Sequence, residues 1–168
     1  IREIKKERNE SDNMDLSKTV HNDPDRCDLF GSINYQDIDN TKYLAGGAFS
    51  HVIEGTYNGQ PIVAKLLQSK FKDSPVTFRQ MQYEQELLSR LKHPNIVNFI
   101  GSGEMEEKGE LFDVGTPFTV LERLYDTLTQ YMKRKRLSFQ TVLNLSKQIA
   151  TALHYLHEEA LPGLTTLH

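Results

Sequence analysis

The sequence lacks most of the features that mark secreted or membrane proteins. It contains no tryptophan and a single cysteine, Cys27, which can form no internal disulfide and has no partner cysteines for a structural zinc site. It has no run of about eighteen apolar residues, and no charged-then-apolar signal segment opens the chain. We therefore expect an intracellular, cytoplasmic protein that is not inserted into a membrane.

An excess of basic charge is also missing. The 20 Lys and Arg residues are outnumbered by 23 Asp and Glu residues, which gives a net charge of -3 and predicts no nucleic-acid partner. The basic residues 133–136 fall at a predicted helix end, where they complement the helix dipole, so we interpret them as a solvated face. His154 and His157 are interpreted as packing residues of a helix, and no metal site is predicted.

The chain divides by composition. Residues 1–36 are rich in charge, Asn, Asp and Ser and sparse in apolar side chains, which predicts a flexible leader with little buried surface. Residues 37–168 carry apolar clusters and are interpreted as one folded unit. Asn58-Gly59 separates two strand-like runs and predicts a hairpin, because both central residues of a type I′ turn need positive φ.

Strand and helix patterns then follow in segregated order. Ser74-Pro75 predicts the start of an amphipathic helix, and residues 95–100 predict a strand that Gly101 and Gly103 end. Residues 104–115 read as a solvated connection to a strand at 118–121. Helices are predicted over about 126–136 and from Ser138 onward. The fold class is therefore α+β, an antiparallel sheet interrupted by one helix and followed by two helices.

Lys65 and Glu84 stand out because each is a charged residue in apolar surroundings. Strand alternation directs Lys65 to the same face as Val63, where an ammonium needs an anionic partner unless the strand is an edge facing water. Glu84 shares a helix face with Leu87, whereas Glu86 is expected to face solvent. Glu84 is therefore the candidate partner of Lys65.

Residues 44–52 form a turn of small residues between two strands, a segment whose backbone can approach a phosphate closely. By itself this pattern also fits an ordinary hairpin turn.

Together these motifs resemble the protein kinase family over about residues 38–168. The resemblance lies in the glycine-containing loop, Val63-Ala64-Lys65, Glu84, the run His93-Pro94-Asn95-Ile96-Val97, the run from Phe118 to Leu124, and the run Ala152-Leu153-His154-Tyr155-Leu156-His157. It implies a small lobe over about residues 37–124, with a five-stranded antiparallel sheet and one helix. The first two helices of the large lobe would occupy about residues 125–168. Residues 55–59 are similar to the tyrosine-kinase-like branch, whose members mostly phosphorylate Ser or Thr.

The resemblance also implies a binding site for ATP. Lys65 would hold the α- and β-phosphates and Glu84 would orient it. Leu44, Val52 and Ala64 would enclose the adenine, with Leu121 as gatekeeper. The backbone of Glu122 and Leu124 would bond the base edge, and Asp126 would reach the ribose. The expected ATP-binding residues are Leu44, Ala45, Gly46, Gly47, Ala48, Phe49, Ser50, Val52, Ala64, Lys65, Glu84, Leu121, Glu122, Leu124 and Asp126.

The sequence departs from the family pattern at two places. Ala45 and Ser50 replace the first and third loop glycines and leave Gly47 as the central one, so we expect reshaped ATP binding rather than its loss. The His-Arg-Asp and Asp-Phe-Gly motifs are not among the 168 residues, and His168 is a candidate for the first residue of the catalytic loop. Mg²⁺ is therefore expected only in the full-length protein.

Three hypotheses for function remain. The chain is the ATP-binding part of a kinase that acts on protein Ser or Thr and is inactive alone, its protein substrate being unknown. Alternatively, it is a non-catalytic, pseudokinase-like module that binds nucleotide or a partner. A third hypothesis is an α+β interaction domain without a nucleotide site. Apolar helix faces left uncovered by the missing helices are expected to be exposed.

Overall fold

The computed structural model describes residues 31–71 and 73–160. Residues 1–30 of the leader expected over 1–36, and the candidate His168, lie outside the described residues. The described part contains a five-stranded sheet and three α-helices. These elements are, in chain order, β1 (Asp39–Gly46), β2 (Ser50–Tyr57), β3 (Gln60–Leu67), α1 (Pro75–Arg90), β4 (Phe99–Glu104), β5 (Pro117–Glu122), α2 (Leu128–Arg134) and α3 (Phe139–His154).

The sheet has the order β1-β2-β3-β5-β4, and all its neighbouring strands are antiparallel. The hairpin predicted between β2 and β3 is confirmed, because Asn58 and Gly59 have φ values of 49° and 74°. The sheet followed by helices confirms the predicted α+β class and matches the small lobe that the family resemblance implies.

Alternation along β3 gives the sheet two different faces. The side chains of Ile62, Ala64 and Leu66 are fully buried on one face, while Val63 and Lys65 point to the other. The first face carries the hydrophobic core, and the second faces α1. The core cluster comprises Ile33, Ile38, Ile53, Ile62, Ala64, Leu66, Met105, Phe118 and Val120.

Residues 31–38 are here called the arm. The expectation that residues up to 36 bury little surface is wrong for this segment. The Ile33 amide donates to the Ser102 carbonyl at 2.9 Å, and Ser32 forms a parallel bridge with Ser102. The Ile33 side chain is only 4% exposed and belongs to the core, and Tyr35 packs edge-on against Phe112. The arm is therefore part of the folded unit.

Gly101 and Gly103 lie inside β4 and do not end it, so that prediction is wrong. The arm occupies the space that side chains at these positions would fill. A Cβ on Gly101 would lie 2.5 Å from the Gly31 carbonyl oxygen, and one on Gly103 would lie 2.2 Å from that of Ile33. The two glycines therefore mark where the arm crosses the strand.

The helices begin near the predicted residues. Ser74 caps α1 and Ser138 caps α3, each accepting a hydrogen bond from the amide three residues later. The predicted helix 126–136 is shorter, because Thr127 caps α2. As expected, α3 has an exposed apolar face, with Phe139 78% exposed. No helix within the described ranges is long and apolar enough to span a bilayer.

Candidate nucleotide-binding site

The expected partnership of Lys65 and Glu84 is present. The Lys65 ammonium lies 2.6 Å from a carboxylate oxygen of Glu84, which joins β3 to α1. Lys65 is not on an edge strand, because β3 lies between β2 and β5 with Val52 and Thr119 as its cross-strand neighbours. The side chains are 29% and 48% exposed, so the charges stay accessible to a polar ligand.

A neighbouring residue on α1 fixes how the helix faces the sheet. The Gln85 side-chain amide donates to the Thr119 hydroxyl at 2.9 Å and to the Phe118 carbonyl at 3.3 Å. These bonds hold α1 against β5 and so determine where Glu84 points. Gln85 was not predicted from the sequence; its position next to the candidate carboxylate Glu84 was the only signal available.

Glu84 and Glu86 were predicted to differ in exposure, but their side chains are almost equally exposed. The Glu86 side chain is 46% exposed, against 48% for Glu84, and it pairs with Arg90 at 2.6 Å one helical turn away. Glu86 is therefore held on the helix surface, while Glu84 reaches across to the sheet.

The loop between β1 and β2 is closed by a hydrogen bond from the Gly47 amide to the Ser50 carbonyl at 2.7 Å. Ala45 and Ser50, which stand at two family glycine positions, lie in β1 and β2. Among the described non-glycine residues only Asn40 and Asn58 have positive φ. The two substitutions therefore impose no left-handed strain on this loop.

A cavity of about 220 Å³ opens between this loop, α1 and the sheet. Five predicted site residues share it: Ala48, Phe49, Ser50, Lys65 and Glu84. The rest of its wall is formed by Leu67, Thr77, Gln80, Met81 and Thr119. The cavity thus joins backbone from a short loop, one ammonium and several polar side chains, a combination suited to an anionic group. A larger cavity, about 620 Å³, lies between α1, β4 and the arm and contains none of the predicted site residues.

The expectation that Ala64 forms a wall of the adenine site is wrong. The Ala64 side chain is 0% exposed and belongs to the core cluster on the face away from Lys65. Val63 lies on the Lys65 face instead, opposite Glu54 on β2 and Leu121 on β5. Strand alternation places Val63 on the same face as Lys65, and this signal in the sequence was enough to identify Val63 as the wall residue.

The end of β5 carries the expected gatekeeper and hinge residues. Leu121 is 7% exposed and lies between Val63 of β3 and Phe99 of β4, on the same face of the sheet as Val63 and Lys65. The Glu122 amide donates to the Asn98 carbonyl at 3.0 Å, which fixes the hinge to the segment before β4. Leu44 and Leu124 stay partly open, 40% and 57% exposed.

Asp126 is engaged within its own segment and does not stand open toward a ribose. Its carboxylate pairs with Arg134 and accepts a hydrogen bond from the Thr127 amide at 2.9 Å. It therefore organises the start of α2. Within the described ranges no group of three or more His, Cys, Asp and Glu residues could hold a metal ion.

Comparison with known proteins agrees with this geometry. The family model for protein tyrosine and serine/threonine kinases matches residues 38–162. The chain belongs to the protein kinase family. The elements that carry the Lys65–Glu84 pair and the hinge all lie within the matched residues.

The chain is similar to kinases from plants and amoebae. It is 30% identical over 137 residues to the serine/threonine-protein kinase VIK of Arabidopsis thaliana, covering 81% of this chain and 30% of that protein. It is 31% identical to the receptor-like protein kinase ANXUR1 of the same plant, over 74% of this chain and 14% of that protein. The dual specificity protein kinase shkD of Dictyostelium discoideum is 30% identical over 73% of this chain and 16% of its own length. The chain thus spans less than a third of each of these relatives.

Proposed function

We propose that this chain is the ATP-binding part of a protein kinase that transfers the γ-phosphate of ATP to Ser or Thr of a protein. The observation that carries the proposal is the Lys65–Glu84 pair at 2.6 Å, in a cavity roofed by the glycine-containing loop. Lys65 holds the α- and β-phosphates, and Glu84 keeps its ammonium in place. The Ser/Thr preference rests on the similarity to serine/threonine-protein kinases such as VIK.

The adenine packs against Val52 and Val63, which share the Lys65 face of the sheet, with Leu121 beside Val63. The backbone at Glu122 and Leu124 bonds the base edge. Mg²⁺ arrives with the nucleotide, and its protein ligands belong to motifs that these 168 residues do not include. The chain by itself is therefore expected to bind nucleotide without transferring phosphate.

Calorimetric titration with Mg-ATP tests the nucleotide site. The unchanged chain and the control Lys147→Met, on exposed α3, should bind, whereas Lys65→Met should lose most of the affinity because it removes the cation that meets the phosphates. Absence of binding by the unchanged chain, or equal binding by Lys65→Met, would rule out this site.

Catalysis is tested by reading the coding sequence beyond His168. Arg-Asp followed by a metal-ligand Asn would support an active kinase. A second candidate, a non-catalytic nucleotide-binding module, is favoured by the loss of two loop glycines to Ala45 and Ser50. That candidate is supported if the continuation lacks these residues while Mg-ATP still binds.

A further inference from the structure

Gln68, the residue after β3, holds the loop between β1 and β2 at two points. Its side-chain amide donates to the Gly47 carbonyl at 2.8 Å, and its backbone amide donates to the Phe49 carbonyl at 2.9 Å. We propose that Gln68 is a positioning residue that fixes this loop for the nucleotide phosphates, and that Phe71 reinforces it. The inference rests on the proposed nucleotide-binding function.

The peptide geometry explains what Gln68 fixes. In a trans peptide the carbonyl of one residue and the amide of the next point in opposite directions within one plane, and residues 31–71 and 73–160 contain no cis peptide. Holding the Gly47 carbonyl therefore also sets the direction of the Ala48 amide. Ala48 lines the same cavity as Lys65.

The loop retains free donors while its carbonyls are engaged. Within residues 31–71 and 73–160, the backbone amides of Ala48 and Phe49 donate no hydrogen bond. The Gly47 amide, by contrast, is used by the Ser50 carbonyl. The donors left for a phosphate are thus the Ala48 amide, in the peptide that Gln68 orients, and the Phe49 amide in the next peptide.

A contact between two tilted aromatic rings supplies a second attachment for the loop. The Phe49 and Phe71 rings lie 5.2 Å apart, and the Phe71 amide donates to the Gln68 carbonyl at 2.8 Å. The Lys70 ammonium lies 4.9 Å from the centre of the Phe71 ring. The loop tip is therefore held by the same short turn, Ser69–Phe71, that follows Gln68.

The attachment of the loop by Gln68 should affect the binding of the phosphates and not the binding of the base. A donor that is oriented before the ligand arrives loses less conformational freedom on binding. Gln68 contacts the loop tip, and the adenine wall is built from Val52, Val63 and Leu121. Removing the Gln68 side chain should therefore weaken ligands that carry phosphates and spare a nucleoside.

The test is a pair of titrations, with Mg-ATP and with adenosine. For Gln68→Ala we expect the Kd for Mg-ATP to rise about fivefold, the effect of one net hydrogen bond, and the Kd for adenosine to stay within about twofold. Phe71→Ala should act in the same direction, and Phe71→Tyr should restore the affinity because it keeps the ring. Gln60→Ala, an exposed glutamine at the start of β3, is the matched control and should leave both ligands unchanged.

A ligand-free measurement separates this inference from the proposed function. Backbone order parameters from NMR relaxation should fall at Gly47–Ser50 in Gln68→Ala and stay unchanged in Gln60→Ala. Lower order with no ATP binding by the unchanged chain would refute the nucleotide site while supporting the attachment of the loop. Unchanged order parameters, or an equal loss of ATP and adenosine affinity, would overturn the role given to Gln68.

Discussion

The Arg123 guanidinium donates two hydrogen bonds to one carboxylate oxygen of Glu54, at 3.1 Å from Nε and 2.9 Å from Nη2. The bonds join the residue after β5 to β2, across the intervening strand β3. The two side chains are 15% and 32% exposed, so the pair is partly shielded from water. Arg123 also contacts the Leu124 carbonyl, which couples the hinge to the sheet.

Glu54→Gln should destabilise the fold. The substitution leaves the partly buried Arg123 without its anionic partner, and we expect a loss of about 1 kcal/mol in the free energy of unfolding. Urea unfolding followed by circular dichroism measures this loss. Glu106→Gln removes an exposed carboxylate on the loop after β4 and should change stability by less than about 0.5 kcal/mol. Equal midpoints for both variants would contradict the importance of the pair.

Gly103→Ala should disturb the arm. The new methyl group would lie 2.2 Å from the Ile33 carbonyl oxygen and 2.6 Å from the Phe118 ring, so either the arm or the core must move. We expect a loss of about 2 kcal/mol or more. Gly47→Ala is the control, since its Cβ would be 3.5 Å from the nearest atom. A thermal melt showing similar stability for the two variants would be incompatible with the close crossing described above.

Asn95→Ala should loosen α3. The Asn95 side-chain amide donates to the Gln148 carbonyl at 3.2 Å and to the Thr151 hydroxyl at 3.0 Å, so it anchors α3 to the segment after α1. Hydrogen exchange of the α3 amides should become several-fold faster, while exchange in β3 stays the same. Asn144→Ala is the control, because within the described ranges the Asn144 side chain hydrogen-bonds only to Gln140 of α3 itself, and it should show little effect. Unchanged α3 exchange in Asn95→Ala would exclude this anchoring role.

Tyr35 should make the free energy of unfolding depend on pH in the alkaline range. Burial raises the pKa of the Tyr35 phenol, although a hydrogen bond with Thr41 acts in the opposite direction. The folded state therefore favours the neutral phenol, and its contribution to stability is present below the ordinary pKa of 10.0 and is lost as pH rises above that value. Relative to Tyr35→Phe, the unchanged chain should lose stability above pH 10.0. Tyr83→Phe, which removes the hydroxyl of a tyrosine that is 58% exposed, is the matched control.

Local signals in the sequence were sufficient for part of the site. The Lys65–Glu84 contact could be predicted because strand and helix periodicities each assign a face to a charged residue, and a charge on an apolar face requires a partner. The Asn58-Gly59 hairpin and the Ser74 and Ser138 caps depend on a few adjacent residues. Such features do not depend on the rest of the fold.

The parts that sequence did not predict depend on contacts between distant segments. Ile33 is buried because the arm lies beside β4, about seventy residues further along the chain, and no local period indicates this. Gly101 and Gly103 resemble strand terminators, and only the presence of the arm explains them. The hydrogen bonds of Gln68 and Gln85 depend on how the loop and α1 settle against the sheet.

The arm also has a consequence for association between molecules. β4 is the last strand in the sheet order, and without the arm the outward-facing Ser102 amide and carbonyl would lack their partners Gly31 and Ile33. Unpaired groups of this kind can recruit a strand from a second molecule. A chain begun at Asp39 would keep every strand of the sheet but expose this row, and it should be more prone to aggregate than a chain that retains residues 31–38.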